Sequence, residues 1–166
     1  TSIAETSITI DGVKVVIDSG LMRVPRFSPQ TGMTRLDTLS VSKAVADQRR
    51  GRAGRTAPGK CYRVWSEYNH GLLKPFTRPE ISSVDLTPLA LEMAAWGVSD
   101  PNQLKWQDLP DEKSLSQANH LLKTLGALDE KGRITVHGKK MVSLGLHPRL
   151  AHMILRADEK GQGVLA

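Results

Sequence analysis

Apolar residues in this chain are spaced in two ways, and the change falls near its middle. In the first half they gather in short β-branched runs. Residues 13–17, Val-Lys-Val-Val-Ile, lead into Asp18-Ser19-Gly20, which is the pattern of a buried parallel strand that stops at a turn. Residues 24–27 and 33–39 flank Ser28-Pro29-Gln30-Thr31-Gly32, a stretch of turn formers, and so predict a hairpin within residues 21–41. Ser40 or Ser42 can cap the helix that follows through Ala44, Val45 and Ala46, and Ala57-Pro58-Gly59 ends it. Residues 60–65 return as a strand with Val64 and Trp65 expected in the core. Residues 67–82, with Gly71, Pro75 and Pro79, read as a connector.

Helical spacing takes over in the second half. Residues 89–96 form a compact helix stopped by Gly97, and Ser99-Asp100-Pro101 starts a short one with Asp as cap and Pro in the first turn. Within residues 111–125, Leu115, Ala118, Leu121, Leu122 and Leu125 share one apolar face, and Gly126 ends it. Residues 127–136 then predict a small hairpin. Three helices and a hairpin describe a winged helix, and the chain turns helical again from His137. The last helix, with Met153, Ile154 and Leu155, is expected to stay partly exposed.

Chemistry concentrates in residues 48–55, Gln-Arg-Arg-Gly-Arg-Ala-Gly-Arg. At about 100° per residue, a helix would bring Gln48, Arg52 and Arg55 within about 60° of one another. Arg49 and Arg50 turn elsewhere. Gly51 and Gly54 clear a further face for a neighbouring backbone or a phosphate. Two guanidiniums side by side can take up the charge that spreads over a transferring phosphoryl group, so the run reads as the arginine-finger helix of a nucleoside triphosphatase. A solvated basic helix, or a patch that neutralises phosphates without chemistry, is the competing reading.

The order Gln-Arg-x-Gly-Arg-x-Gly-Arg resembles motif VI of superfamily-two helicases in their DEAH-box branch. Residues 1–12, Thr-Ser-Ile-Ala-Glu-Thr-Ser-Ile-Thr-Ile-Asp-Gly, resemble motif V of the same family. The likeness covers essentially the whole chain and points to the bacterial HrpB-like members. Ser2 stands where the family commonly has Asn, and Arg50 where it often has Ala.

The resemblance implies an α/β fold. Residues 1–66 would be the back of a second RecA-like domain with its β-hairpin and 67–82 a connector. Residues 83–146 would be a mainly α winged-helix domain and 147–166 the start of a helical bundle. It implies that Arg52 and Arg55 reach the γ-phosphate of ATP, with Gln48 placing the attacking water or that phosphate. Ser7, Thr9 and Asp11 would lie toward the nucleotide, and Thr1, Ser2 and Arg23 toward the nucleic-acid backbone. Helix capping by Ser7 and Thr9, and a solvated Arg23, remain open alternatives. ATP and Mg²⁺ would be held mainly by a first RecA-like domain in cis, because these 166 residues hold no phosphate-loop motif and no Asp-Glu-x-His box. The chain therefore reads as a piece of an ATP-dependent RNA helicase that is inactive alone, with DNA and an accessory protein left open as further partners. A non-enzymatic winged-helix nucleic-acid-binding protein is the alternative.

Composition refines this picture at two points. The net charge of +6 lies wholly in the first part, with 13 basic to 7 acidic residues through Ser82 and 10 of each beyond. That favours a polyanionic partner for the first half and leaves the winged helix neutral, as suits a packing module. The single cysteine, Cys61, rules out an internal disulfide, and the five histidines show no metal-ligand spacing. No apolar run approaches the roughly 20 residues needed to cross a bilayer and no signal-peptide pattern opens the chain, so a soluble intracellular protein is expected, and the resemblance to the HrpB-like members implies the bacterial cytoplasm.

Overall fold

The computed structural model describes residues 12–28, 31–159 and 161. They fall into two compact units, the first comprising residues up to Ser28 and Thr34–Pro79, the second taking the hairpin tip up to Met33 and everything from Glu80.

The first unit is built on a parallel pair, β1 (Val15–Asp18) and β4 (Lys60–Arg63), in register from Val15 opposite Lys60 to Asp18 opposite Arg63. Between them the chain makes the expected hairpin, β2 (Leu21–Ser28) with β3 (Met33–Ser40), and then helix α1 (Lys43–Ala53). Parallel strands need a crossover of this kind, and α1 packs on both β1 and β4. Of the two candidate caps, Ser42 takes the role, accepting from the Val45 N–H at 3.2 Å. Val41, Val45 and Ala46 form a small core under Met22, Trp65 and Leu73.

Three expectations for this unit change. The β1 strand is parallel but buried only at its end: Val15 and Ile17 are 53% and 74% exposed while Asp18 is buried, and α1 packs on this two-stranded sheet. Val64 lies one residue beyond β4 and is 66% exposed, whereas Trp65 does join the core. The stretch read as a connector carries helix α2 (Glu67–Leu72), capped by Ser66, and then serves α1. The Lys74 and Pro75 carbonyls accept the Lys43 and Ala44 N–H groups, which have no partner inside their own helix, and Thr77 Oγ1 donates to Ser42 Oγ.

The second unit holds α3 (Thr87–Ala95), α4 (Glu112–Thr124), α5 (Val136–Ser143) and α6 (Pro148–Glu159). Leu86, Ala90, Leu91, Leu115, Ala118, Leu122, Leu128, Met141 and Ala151 are packed into one core, and Leu122 and Met141 are fully buried. The α4 stripe is as the sequence predicts, with Asp111 as the cap accepting from the Ser114 N–H. The short helix after Asp100 is a single 3-10 turn, Pro101–Gln103. The expected hairpin shrinks to one antiparallel bridge, Leu128 with Ile134, closed by Asp129 and Arg133. Thr135 shortens it: its hydroxyl accepts from the Gly138 N–H and caps α5, so Val136 opens a helix instead of extending a strand. Leu150, Met153 and Ile154 lie exposed on α6. Among the described residues no helix is long and apolar enough to cross a membrane.

Candidate functional site

The basic run lies at the carboxyl end of α1, and the fold divides its residues by depth. Val45, Ala46, Arg49 and Ala53 are the buried residues of the helix. Arg49 stands four positions from Val45 and four from Ala53, in the middle of that stripe. Gln48 is exposed, Arg52 is half-buried at the edge of the stripe, and Arg50 points to water.

Arg55 departs from the expected geometry. The helix ends at Ala53 with Gly54 as its cap, so Arg55 lies in the bend that follows and is exposed. Two glycines in one turn weaken the helix, and the Ala57-Pro58-Gly59 stretch cannot continue it. The shared helical face therefore holds for Gln48 and Arg52, while the loop positions Arg55.

The glycine expectation also shifts. A Cβ at Gly51 or Gly54 would meet nothing within 4 Å, so neither marks a close approach among the described residues. Gly59 does: a Cβ there would collide with the backbone carbonyl of Ala53 and lie 2.8 Å from that of Lys14. Its missing side chain is what lets the chain leave α1 and enter β4 beside β1.

Charge around the run is locally paired. Arg63 Nη2 donates to Asp47 Oδ1 at 2.7 Å and Arg50 Nη2 lies 3.4 Å from the same oxygen. The Arg63 hydrogen bond, with Arg50 adding to it, holds the Asp47 carboxyl below the usual carboxylate range. The Arg63 guanidinium also lies 5.6 Å from the centre of the Trp65 ring.

A deeper pair went unread in the sequence. Arg49 Nη1 donates to Asp18 Oδ1 at 2.9 Å and to the Leu21 carbonyl at 3.0 Å, and both side chains are buried. Asp18 Oδ1 also accepts from the Gly20 N–H at 3.0 Å. One guanidinium thus ties α1 to the end of β1 and the start of the hairpin. The available signal was Arg49's place in the apolar stripe of α1, where a charge has to find a buried partner.

Of the remaining expected site residues, Arg23 is exposed on β2. Thr1, Ser2, Ser7, Thr9 and Asp11 lie outside the described residues.

Comparison with known proteins agrees with this architecture. Residues 120–146 match the family model of the helicase associated domain (HA2), winged-helix. The ATP-dependent RNA helicase HrpB of Escherichia coli is 43% identical over 166 residues, which is all of this chain and 20% of that protein. The probable ATP-dependent RNA helicase DHR1 of Saccharomyces cerevisiae is 41% identical over 96% of this chain and 13% of its own length. The crystal structure of the Escherichia coli DEAH/RHA helicase HrpB superposes with a TM-score of 0.90 at 43% identity, covering 98% of this chain and 21% of that one. The chain thus spans about a fifth of the length of the HrpB relative that it matches. By sequence and by fold the chain is a homologue of one segment of the DEAH-type ATP-dependent RNA helicases, and that segment includes the stretch matched by the helicase-associated winged helix.

Proposed function

We propose that the protein carrying this chain couples ATP hydrolysis to movement along RNA and to its unwinding, and that this chain supplies the finger side of the ATP cleft. The observation that carries the reading is the division of α1 into an anchored inner flank and an outward edge bearing Gln48 and Arg52. It occurs in a chain 43% identical to an ATP-dependent RNA helicase. Arg52, with Arg55 from the following bend, directs its donors at the γ-phosphate and steadies the charge that develops as the phosphoryl group transfers. Gln48 orients the attacking water. ATP and Mg²⁺ are held mainly by a phosphate-loop domain elsewhere in the protein. Ser7, Thr9 and Asp11 face the nucleotide, and Thr1, Ser2 and Arg23 face the RNA backbone. The neutral second half serves as a packing module, and the protein works in the bacterial cytoplasm.

ATP turnover by the full-length protein, with Arg52 and Arg55 both changed to alanine, tests the assignment. A fall of about 10³- to 10⁵-fold is expected, the range found for fingers in well-studied triphosphatases. Unchanged turnover would refute it. The 166-residue chain alone should show no ATPase activity and bind RNA weakly, with affinity falling as salt rises.

A further inference from the structure

The buried pair formed by Arg49 and Asp18 has no part in the chemistry assigned above, yet it sits directly behind it. We propose that Arg49 is a positioning residue: held by Asp18 and the Leu21 carbonyl, it sets the rotation of α1 about its axis and so the direction in which Gln48 and Arg52 are presented. This rests on the finger reading of Arg52 and deepens it.

Geometry carries the proposal. Apolar contacts alone fix the roll of a helix loosely here, because the buried apolar side chains of α1, Val45, Ala46 and Ala53, are small and carry no directional bond. A guanidinium held at 2.9 Å by a carboxylate and at 3.0 Å by a carbonyl cannot slide. Arg49 precedes Arg52 by three residues and follows Gln48 by one, so both share its turn of helix. A small change of roll at Arg49 is therefore carried directly into both.

The anchor is itself held. Asp18 ends β1, and its Oδ1 also takes the Gly20 N–H. Gly20 is at φ +73°, and a Cβ there would lie 2.8 Å from the Trp65 ring, so the turn that presents Asp18 is locked from both sides. Leu21 opens β2. A well-packed core would place an apolar residue at position 49. A buried ion pair adds little net stability and is better explained by the orientation it enforces.

The test is steady-state ATP turnover by the full-length protein carrying Arg49→Met together with Asp18→Asn. This pair of changes removes both charges and keeps an oxygen for the Gly20 N–H. With folding confirmed by an unchanged circular dichroism spectrum and a cooperative melt, kcat should fall about 10²-fold, the scale of a misplacement near 1 Å, while KM for ATP changes little. Added to Gln48→Ala with Arg52→Ala, the same changes should cost almost nothing more, since Arg49 acts through those side chains. A folded double variant that turns over at the wild-type rate would overturn the proposal, as would a full further loss on the finger-less background.

Should the double variant not fold, Arg49→Lys decides. A lysine ammonium still reaches Asp18 and Leu21, so near-normal turnover supports positioning. A folded Arg49→Lys protein as slow as Arg52→Ala would mean that Arg49 acts on the nucleotide itself and would overturn it. Arg52→Ala measured in parallel separates the two ideas: normal turnover there removes the finger reading, whatever Arg49 does.

Discussion

His137 and His152 meet through their ring nitrogens, with Nε2 of the first 2.9 Å from Nδ1 of the second and the rings edge to face. The pair joins α5 to α6, and it holds only while at least one nitrogen of that contact is free of a proton. Burial first, and the neighbouring His152, then keep His137 below the ordinary histidine range, with Arg156 and Lys140 acting the same way and Glu159 opposing. The third helix packed here, α3, adds one ionisable residue, the exposed Glu92.

A histidine with a lowered folded pKa contributes stability that is complete above its ordinary value of about 6.5 and is lost as pH falls below it, because the unfolded chain takes the proton first. The thermal midpoint of the chain should therefore drop between about pH 7.5 and about pH 5.5, and His137→Gln should shrink that drop. Equal pH dependence in the two proteins would dismiss the coupling.

Asp85 fastens the entry of α3 to that of α6. Its Oδ1 accepts from the Thr87 N–H at 2.8 Å and the Thr87 hydroxyl at 2.5 Å, and its Oδ2 lies 3.0 Å from His147 Nε2. Nδ1 of His147 accepts from the Arg149 N–H at 3.3 Å, so the proton sits on Nε2 and points at Asp85. Asp85→Ala strips partners from a fully buried Thr87 and should cost about 1–3 kcal/mol in urea unfolding. A loss within the scatter of ordinary surface changes, about 0.5 kcal/mol, would show that the clip is idle.

Leu122 has no exposed surface and sits at the centre of the second unit's core. Leu122→Ala should therefore lower stability by about 2–5 kcal/mol, read from chemical denaturation, and most of that should appear in the transition of the helical unit. The nearby Leu125, the half-buried cap at the end of the same helix, should tolerate the same change better.

Gly59→Ala should destabilise the first unit although it adds a single methyl group. That methyl would meet the Ala53 and Lys14 carbonyls, which belong to backbone and cannot swing aside. A melting temperature lowered by several degrees is expected, against almost no change for Gly51→Ala, whose Cβ meets open space.

The sequence carried its strongest signals where a local rule and a long-range need agree. The α4 stripe of Leu115, Ala118 and Leu122 could be read because helical spacing and burial coincide there, and the β2–β3 hairpin because its turn residues stand between two strand-forming runs. Val64 and Val136 misled for a common reason. A β-branched residue favours a strand, but Val64, whose N–H still bonds the Asp18 carbonyl, falls on the exposed face with Tyr62, and the Thr135 cap claims Val136 for a helix.

From the residues alone came the two-part organisation, the run of glutamine and arginines, and its likeness to a helicase motif. These are properties of order and spacing along the chain. Only the folded chain decided that α1 stops at Ala53 and leaves Arg55 to a bend, that Gly59, and neither Gly51 nor Gly54, lacks room for a side chain, and that Arg49 turns inward to Asp18. Those outcomes depend on what lies across from each residue, and Asp18 is 31 positions away from the arginine it holds.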